Sequence, residues 1–143
     1  MLLETKDIMT TKVVHITQDT PVVDAIRLMV KNNITGVPVV EDDMTLLGIL
    51  SEQDVLRLLH TYEDEKSRTV YDFMTRPAVH FELDEPLLDI CFCLRDNSIR
   101  RVPVTSNNKV VGVISRSDIL KCILELCDED AVETVGASDN TER

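Results

Sequence analysis

Apolar positions in the first sixty residues switch between two periods, and each switch marks an element. Val13 to Ile16 is a short β-branched run and predicts a strand. Thr20-Pro21 reads as a helix start, with Thr as the cap and Pro in the first helical position. Val22, Ala25, Ile26, Met29 and Val30 follow at helical spacing, and Asn32-Asn33 predicts the stop, because Asn tolerates the left-handed conformation. Val37 to Val40 is a second strand, Glu41-Asp42-Asp43 a turn, and Leu46 to Leu50 the returning strand of a hairpin. Ser51 opens a second helix through about Leu59.

The pattern then repeats. Asp7-Ile8-Met9-Thr10 returns as Asp72-Phe73-Met74-Thr75, Val14-His15 as Val79-His80, Pro21 as Pro86, and Val37-Pro38-Val39 as Val102-Pro103-Val104, all at an offset of 65. Gly48-Ile49-Leu50-Ser51-Glu52-Gln53-Asp54 returns as Gly112-Val113-Ile114-Ser115-Arg116-Ser117-Asp118 at an offset of 64. The one lost residue falls in the hairpin turn, where Asn107-Asn108 stands in the second copy, and Glu85-Pro86 starts the second copy's helix. The predicted architecture is mixed α/β (α+β): two strand–helix–hairpin–helix units, residues 7–60 and 72–127, joined by a charged linker over 61–71. A copy of about 50 residues buries too little apolar surface to be stable alone. The two are therefore expected to cover each other about a pseudo-twofold axis. Residues 128–143 lack apolar periodicity and are expected to form a loose acidic tail.

Charge narrows the function. The net charge is −11, and seven carboxylates fall in residues 125–143 against Arg143 alone. A phosphate backbone needs clustered Lys and Arg, so nucleic acid is not an expected partner. No apolar run approaches the about 20 residues of a membrane helix, and Met1 to Thr10 has no apolar signal core, so a cytoplasmic protein without a membrane partner is expected. Cys91, Cys93, Cys122 and Cys127 read as buried small hydrophobes rather than disulfide, metal or redox groups. His15 and His80 sit at matching positions and read as surface or interface residues; a metal or pH-sensing role would need them to meet across the axis. His60 has no counterpart. No Cys–His pair with an orienting third group is evident, and the acidic turn at Glu41, Asp42 and Asp43 reads as solvated. An enzyme, a resident cofactor and a metal site are all unexpected.

The informative motif is Gly-apolar-apolar-Ser-x-x-Asp at a strand-to-helix junction, present twice. One reading is a capping box, Ser51 with Asp54 and Ser115 with Asp118. The other is a nucleoside site. The glycine admits a ligand to the backbone, the helix start offers free N–H groups, and Asp accepts two hydrogen bonds from a ribose diol. Phosphates would then be directed to Arg100, Arg101 or Arg116, whose guanidinium forks suit them.

The repeated Met-Thr, the Val-Pro-Val strand and the Gly-x-x-Ser-x-x-Asp loop resemble tandem cystathionine-β-synthase (CBS) domains over about residues 7–124. The resemblance implies a βαββα unit per repeat, pairing of the two into one module, and a homodimer of modules. It implies sensing of an adenosine-containing ligand (AMP, ADP, ATP or S-adenosylmethionine) in clefts between repeats, on behalf of an effector to which members of the family are usually attached; with no effector domain evident in the sequence, an unidentified effector protein on a separate chain is expected. The favoured cleft would use Ser115 and Asp118, completed by Thr10, Val14, Ile34, Thr35, Gly36 and Val37, with Val113 on the base and Arg100, Arg101 and Arg116 nearby. Thr35-Gly36 are expected to leave room there. The opposite cleft would use Ser51 and Asp54 with Thr75, Val79, Ile99 and Val102, and is expected to be poorer or empty. The competing expectation is a degenerate pair, a dimerisation or partner-binding scaffold without ligand.

Overall fold

A computed structural model describes residues 3–137, with side chains as far as residue 130. α1 (Thr5–Ile8) is one turn, closed by Asp7, which accepts a hydrogen bond from the Glu4 N–H at 2.9 Å. The Val13–Ile16 run does not form the predicted strand. Only Ile16 pairs: its N–H donates to the Pro38 carbonyl at 3.0 Å and its own carbonyl accepts from the Val40 N–H at 2.8 Å. α2 (Val22–Asn32) starts one residue later than expected, with Pro21 in the cap position. The Thr20 hydroxyl accepts from the Thr17 N–H instead of capping the helix. The stop is as predicted, Asn33 taking φ 54°. The face of α2 that meets the core is Val22, Ala25 and Met29, while Val30 is 75% exposed.

β1 (Gly36–Val40) pairs antiparallel with β2 (Leu46–Ser51). The helix expected after Ser51 is broken. α3 (Glu52–Val55) is a single turn, and α4 (Leu58–Glu65) runs well into the segment read as linker. Arg57 holds the break, donating to both carboxylate oxygens of Glu65 at 3.1 and 3.2 Å and to the Asp72 carbonyl at 3.1 Å. A 3-10 turn at Val70–Asp72 leads into the second unit.

There the first strand is regular: β3 (Phe81–Glu82) runs parallel to the chain at Val104 and Thr105. α5 (Leu87–Asp96) follows, then β4 (Arg101–Ser106) and β5 (Lys109–Ser115), joined by Asn107 and Asn108, both at positive φ as a two-residue hairpin turn requires. α6 (Arg116–Ala137) overturns the loose-tail expectation for residues 128–137. Lost apolar periodicity argued against burial, not against helix. No proline interrupts 116–137, and Leu, Lys, Glu and Ala favour the helical backbone. Residues 138–143 of the expected tail lie outside the described residues.

Each unit has its own core, and each core is completed by the segment at the start of the other unit. Val70 and Phe73 are buried with Val22, Val37, Val39 and Leu50. Ile8 and Met9 lie against Ile90, Val102, Val104 and Ile114. The same exchange appears in the backbone. Thr10 and Val113 exchange N–H···O bonds of 2.8 and 2.9 Å, and Thr75 and Ile49 exchange bonds of 2.9 and 3.0 Å. At the hairpin tips the Leu46 N–H donates to Asn108 and the Val110 N–H to Met44, both at 2.9 Å. These pairs interchange under the repeat offset, so the two units are related by the expected pseudo-twofold axis. No helix among the described residues is long and apolar enough to cross a membrane.

Candidate functional site

Both Gly-x-x-Ser-x-x-Asp loops form their capping boxes. The Ser51 N–H donates to Asp54 Oδ2 at 2.8 Å, and the Ser115 N–H to Asp118 Oδ2 at 2.9 Å. Each carboxylate is also held from the opposite unit. Thr75 Oγ1 donates to Asp54 Oδ1 at 2.9 Å, and Thr10 Oγ1 to Asp118 Oδ1 at 3.3 Å. A carboxylate offers about four acceptor positions, so Asp54 retains room for both hydroxyls of a diol, while Asp118, which also accepts the Ser115 hydroxyl at 3.0 Å, has a single position left.

The motif glycines have a different task from the one expected. A Cβ on Gly48 would stand 2.5 Å from the Thr75 carbonyl oxygen, and one on Gly112 would stand 2.5 Å from the Met9 sulfur. They admit the Met-Thr segment of the other unit to the strand, not a ligand.

A cleft opens beside each loop, and their sizes reverse the expected order. The Asp54 cleft has a volume of about 290 Å3; the Asp118 cleft has about 90 Å3. Ligand sites usually span about 300–1,000 Å3, so the first is near that range and the second far below it. Strand register is the reason. Gly36 pairs with Ser51, and its counterpart Arg101 pairs with Ser115. Beside the Asp54 loop, therefore, the strand carries no side chain, while beside the Asp118 loop it carries a guanidinium. Thr35, expected beside the Asp118 loop, lines the Asp54 cleft alone, while Gly36 lines both.

The Asp54 cleft gathers Thr35, Gly36, Ser51, Asp54, Thr75, Val79, Ile99, Arg100 and Arg101, together with Ile49, Glu52, Gln53, Pro77 and Ser98. Those last five were missed. Ile49 was readable, since it occupies in the first copy the position of Val113 in the second. The smaller cleft brings Thr10, Val14, Ile34, Gly36, Arg101, Val113, Ser115 and Asp118 together, with Lys12, Val13 and Pro38.

Arg100, expected with Thr35 in the Asp118 cleft, lines only the Asp54 cleft, and three expected residues line neither. Val37 and Val102 are fully buried in the two cores. Arg116 lines neither cleft: it donates through Nε to the Leu94 carbonyl at 3.1 Å and through a terminal nitrogen to Asn97 at 2.8 Å, holding the end of α5. Arg101 lines both clefts, and its Nε is buried without a hydrogen-bond partner. Burial pushes its guanidinium below the ordinary arginine value, while nearby Asp118 opposes that shift.

A larger hollow of about 580 Å3 lies between the N-terminal segment and the start of α5. Its rim carries Glu4, Glu82, Asp84 and Glu85, which repel phosphate.

The cysteines are less uniformly buried than expected. Cys122 is buried, Cys91 and Cys93 are half-buried, Cys127 is exposed, and all are free thiols. Burial and then the neighbouring Cys122 raise the Cys91 thiol; burial and then Glu125 raise Cys122. Both shifts disfavour the reactive thiolate. His15 and His80 each bond a carbonyl of their own segment, Val13 at 3.0 Å and Ala78 at 2.9 Å.

Comparison with known proteins agrees with the repeat and the fold. The CBS domain family model matches residues 6–61 and 70–125. The uncharacterized protein MJ1426 of Methanocaldococcus jannaschii is 43% identical over an alignment of 152 residues covering 83% of this chain and 90% of its own. The uncharacterized protein MJ1225 of the same organism is 30% identical over 118 residues; the match covers 82% of this chain and 42% of that relative. Among solved structures, CBSX2 of Arabidopsis thaliana in complex with AMP superposes with a TM-score of 0.76 at 27% identity, covering 87% of this chain and 98% of that one. The CBS domain pair of MJ0100, in complex with 5'-methylthioadenosine and S-adenosyl-L-methionine, gives a TM-score of 0.71 at 25% identity, covering 86% and 97%.

Proposed function

The chain belongs to the CBS domain family, and from that premise we propose that it is a regulatory module that binds an adenosine-containing ligand between its repeats and has no chemistry of its own. AMP, ADP, ATP and S-adenosylmethionine are the candidate ligands. The observation that carries the reading is the 290 Å3 cleft with Asp54 on one wall and Arg100 and Arg101 on its rim. In this reading the ribose diol faces Asp54, the base lies against Ile49, Val79 and Ile99, and an anionic tail reaches the two arginines. The relatives solved in complex with AMP and with S-adenosyl-L-methionine support the ligand class.

Transmission requires a second body whose affinity differs between the free and loaded forms. A second copy of the chain is the proposed one, covering Leu56, Leu59, Leu120 and Leu124, all more than half exposed. An effector protein on a separate chain would read the resulting change.

Thermal melting with AMP, ATP and S-adenosylmethionine tests the reading. Ligand at 100 times its dissociation constant stabilises the folded form by about 2.7 kcal/mol, an upward shift of about 5–10 °C for a chain near this length. The satisfied capping boxes favour a second reading, a scaffold whose loops are only caps. The absence of a shift with all three ligands selects it.

A further inference from the structure

Arg101 is the side chain that the two clefts share. It stands at the start of β4 opposite Ser115, lines the cavity at Asp54 and the cavity at Asp118, and keeps a buried Nε with no hydrogen-bond partner. One guanidinium cannot serve two sites at once. While it lies in the Asp118 cleft, that cleft holds about 90 Å3, too little for a nucleoside. On the far side it borders the larger cleft, where Arg100 supplies a second cation. An anionic group seated there offers the Nε an acceptor, which no atom of the chain provides.

We infer that Arg101 couples the two clefts: an anionic nucleoside in the Asp54 cleft takes the guanidinium, and its withdrawal opens the Asp118 cleft to a second nucleoside. This inference rests on the adenosine reading of the module and adds its regulation. The two occupancies are then positively cooperative, and the coupling depends on the ligand's negative charge. A nucleoside without phosphate has nothing to draw Arg101 across, so it fills the first cleft alone. Coupling free energies between sites commonly change affinity by about 5–150-fold, which sets the size of effect to look for.

Calorimetric titration of the whole chain with AMP and with adenosine tests this, using wild type, Arg101→Ala and Asp54→Asn. The expected result for wild type is two equivalents of AMP, the second bound at least about fivefold more tightly than the first in intrinsic affinity, and one equivalent of adenosine. In Arg101→Ala the second cleft is open from the start. AMP then binds two independent sites, the first more weakly than in wild type, and adenosine gains a second equivalent. Asp54→Asn weakens both AMP steps together, because Arg101 is drawn away only when the first cleft fills. The coupling is overturned if wild type and Arg101→Ala titrate alike, or if Asp54→Asn weakens the first step and leaves the second unchanged. AMP binding by neither wild type nor Arg101→Ala removes the adenosine reading itself, and the coupling falls with it.

Discussion

The carbonyl oxygen of Thr75 stands where a side chain on Gly48 would have to go. A Cβ built on Gly48 lies 2.5 Å from that oxygen, and the same oxygen accepts the Ile49 N–H at 3.0 Å. Thr75 begins the second unit and Ile49 lies in the hairpin of the first, so the glycine sets how closely the two halves of the module approach. The symmetric contact at Gly112 differs in kind, because what a Cβ meets first is the Met9 sulfur, at the flexible end of a side chain.

Gly48→Ala is therefore expected to be the more damaging of the pair. Backbone must move to admit the methyl and the Ile49–Thr75 bonds must lengthen, an overpacking cost of about 1–3 kcal/mol. In Gly112→Ala the Met9 side chain can turn aside. Denaturant unfolding of both variants decides the matter. A Gly112→Ala loss equal to or larger than that of Gly48→Ala would show that the close approach at Thr75 does not hold the units together.

The cleft volumes predict unequal roles for the two motif aspartates. A hydrogen bond to a charged acceptor contributes about 1.5–3 kcal/mol, which is about tenfold or more in affinity. Asp54→Ala should weaken the first equivalent of nucleotide by at least that factor, while Asp118→Ala should leave it within about threefold. Each substitution also removes a cap bond, with a common stability cost of about 1 kcal/mol. Affinity must therefore be measured well below the melting transition. Equal losses would mean that the Gly36 and Arg101 exchange does not decide which cleft is used.

The repeat, the hairpins and the pseudo-twofold axis were legible because identical residues recur in order, and because Asn33, Asn107 and Asn108 signal backbone that only a few residue types adopt. The choice of cleft was not. It depends on which strand residue stands opposite each loop serine, Gly36 at Ser51 and Arg101 at Ser115, a matter of register that a linear sequence of β-branched residues leaves open. Arg116 was misread for a related reason. Its neighbours in sequence suggest a phosphate site, but its guanidinium meets the end of α5 more than twenty residues upstream, at Leu94. Continuation of α6 through residues 128–137 was hidden because apolar periodicity reports burial rather than helix, and α6 passes into it through the exposed Asp128, Glu129 and Asp130.

Arg116→Ala should accordingly behave as a stability variant. The side chain satisfies two carbonyls at the end of α5, where a cation is also favoured by the helix dipole. Because Arg116 is exposed, the expected loss is about 1 kcal/mol. Nucleotide affinity should be unchanged within error, since the residue lines neither cleft. A tenfold fall in affinity at constant stability would return Arg116 to the binding site.

Glu65 predicts the acid limb of stability. Its carboxylate accepts the Thr61 hydroxyl and both arms of Arg57, and Arg68 approaches to 3.9 Å. The Thr61 bond and then the Arg57 bonds hold its pKa below the ordinary 4.5. A carboxylate with a depressed folded-state pKa binds its proton more readily when unfolded. Its contribution is thus fully present above the unfolded value and is lost as pH falls through the folded one. The gap in melting temperature between wild type and Glu65→Gln should therefore stay constant from about pH 7 to 5.5 and close below about pH 4. Taking the difference cancels the other carboxylates of this acidic chain. The same Arg57 that reaches Glu65 also holds the Asp72 carbonyl and sits 4.1 Å over the Phe73 ring, so acid should loosen the linker before the cores. A gap that persists unchanged to about pH 3 would mean that the Glu65 charge plays no part in fixing the link between the two units.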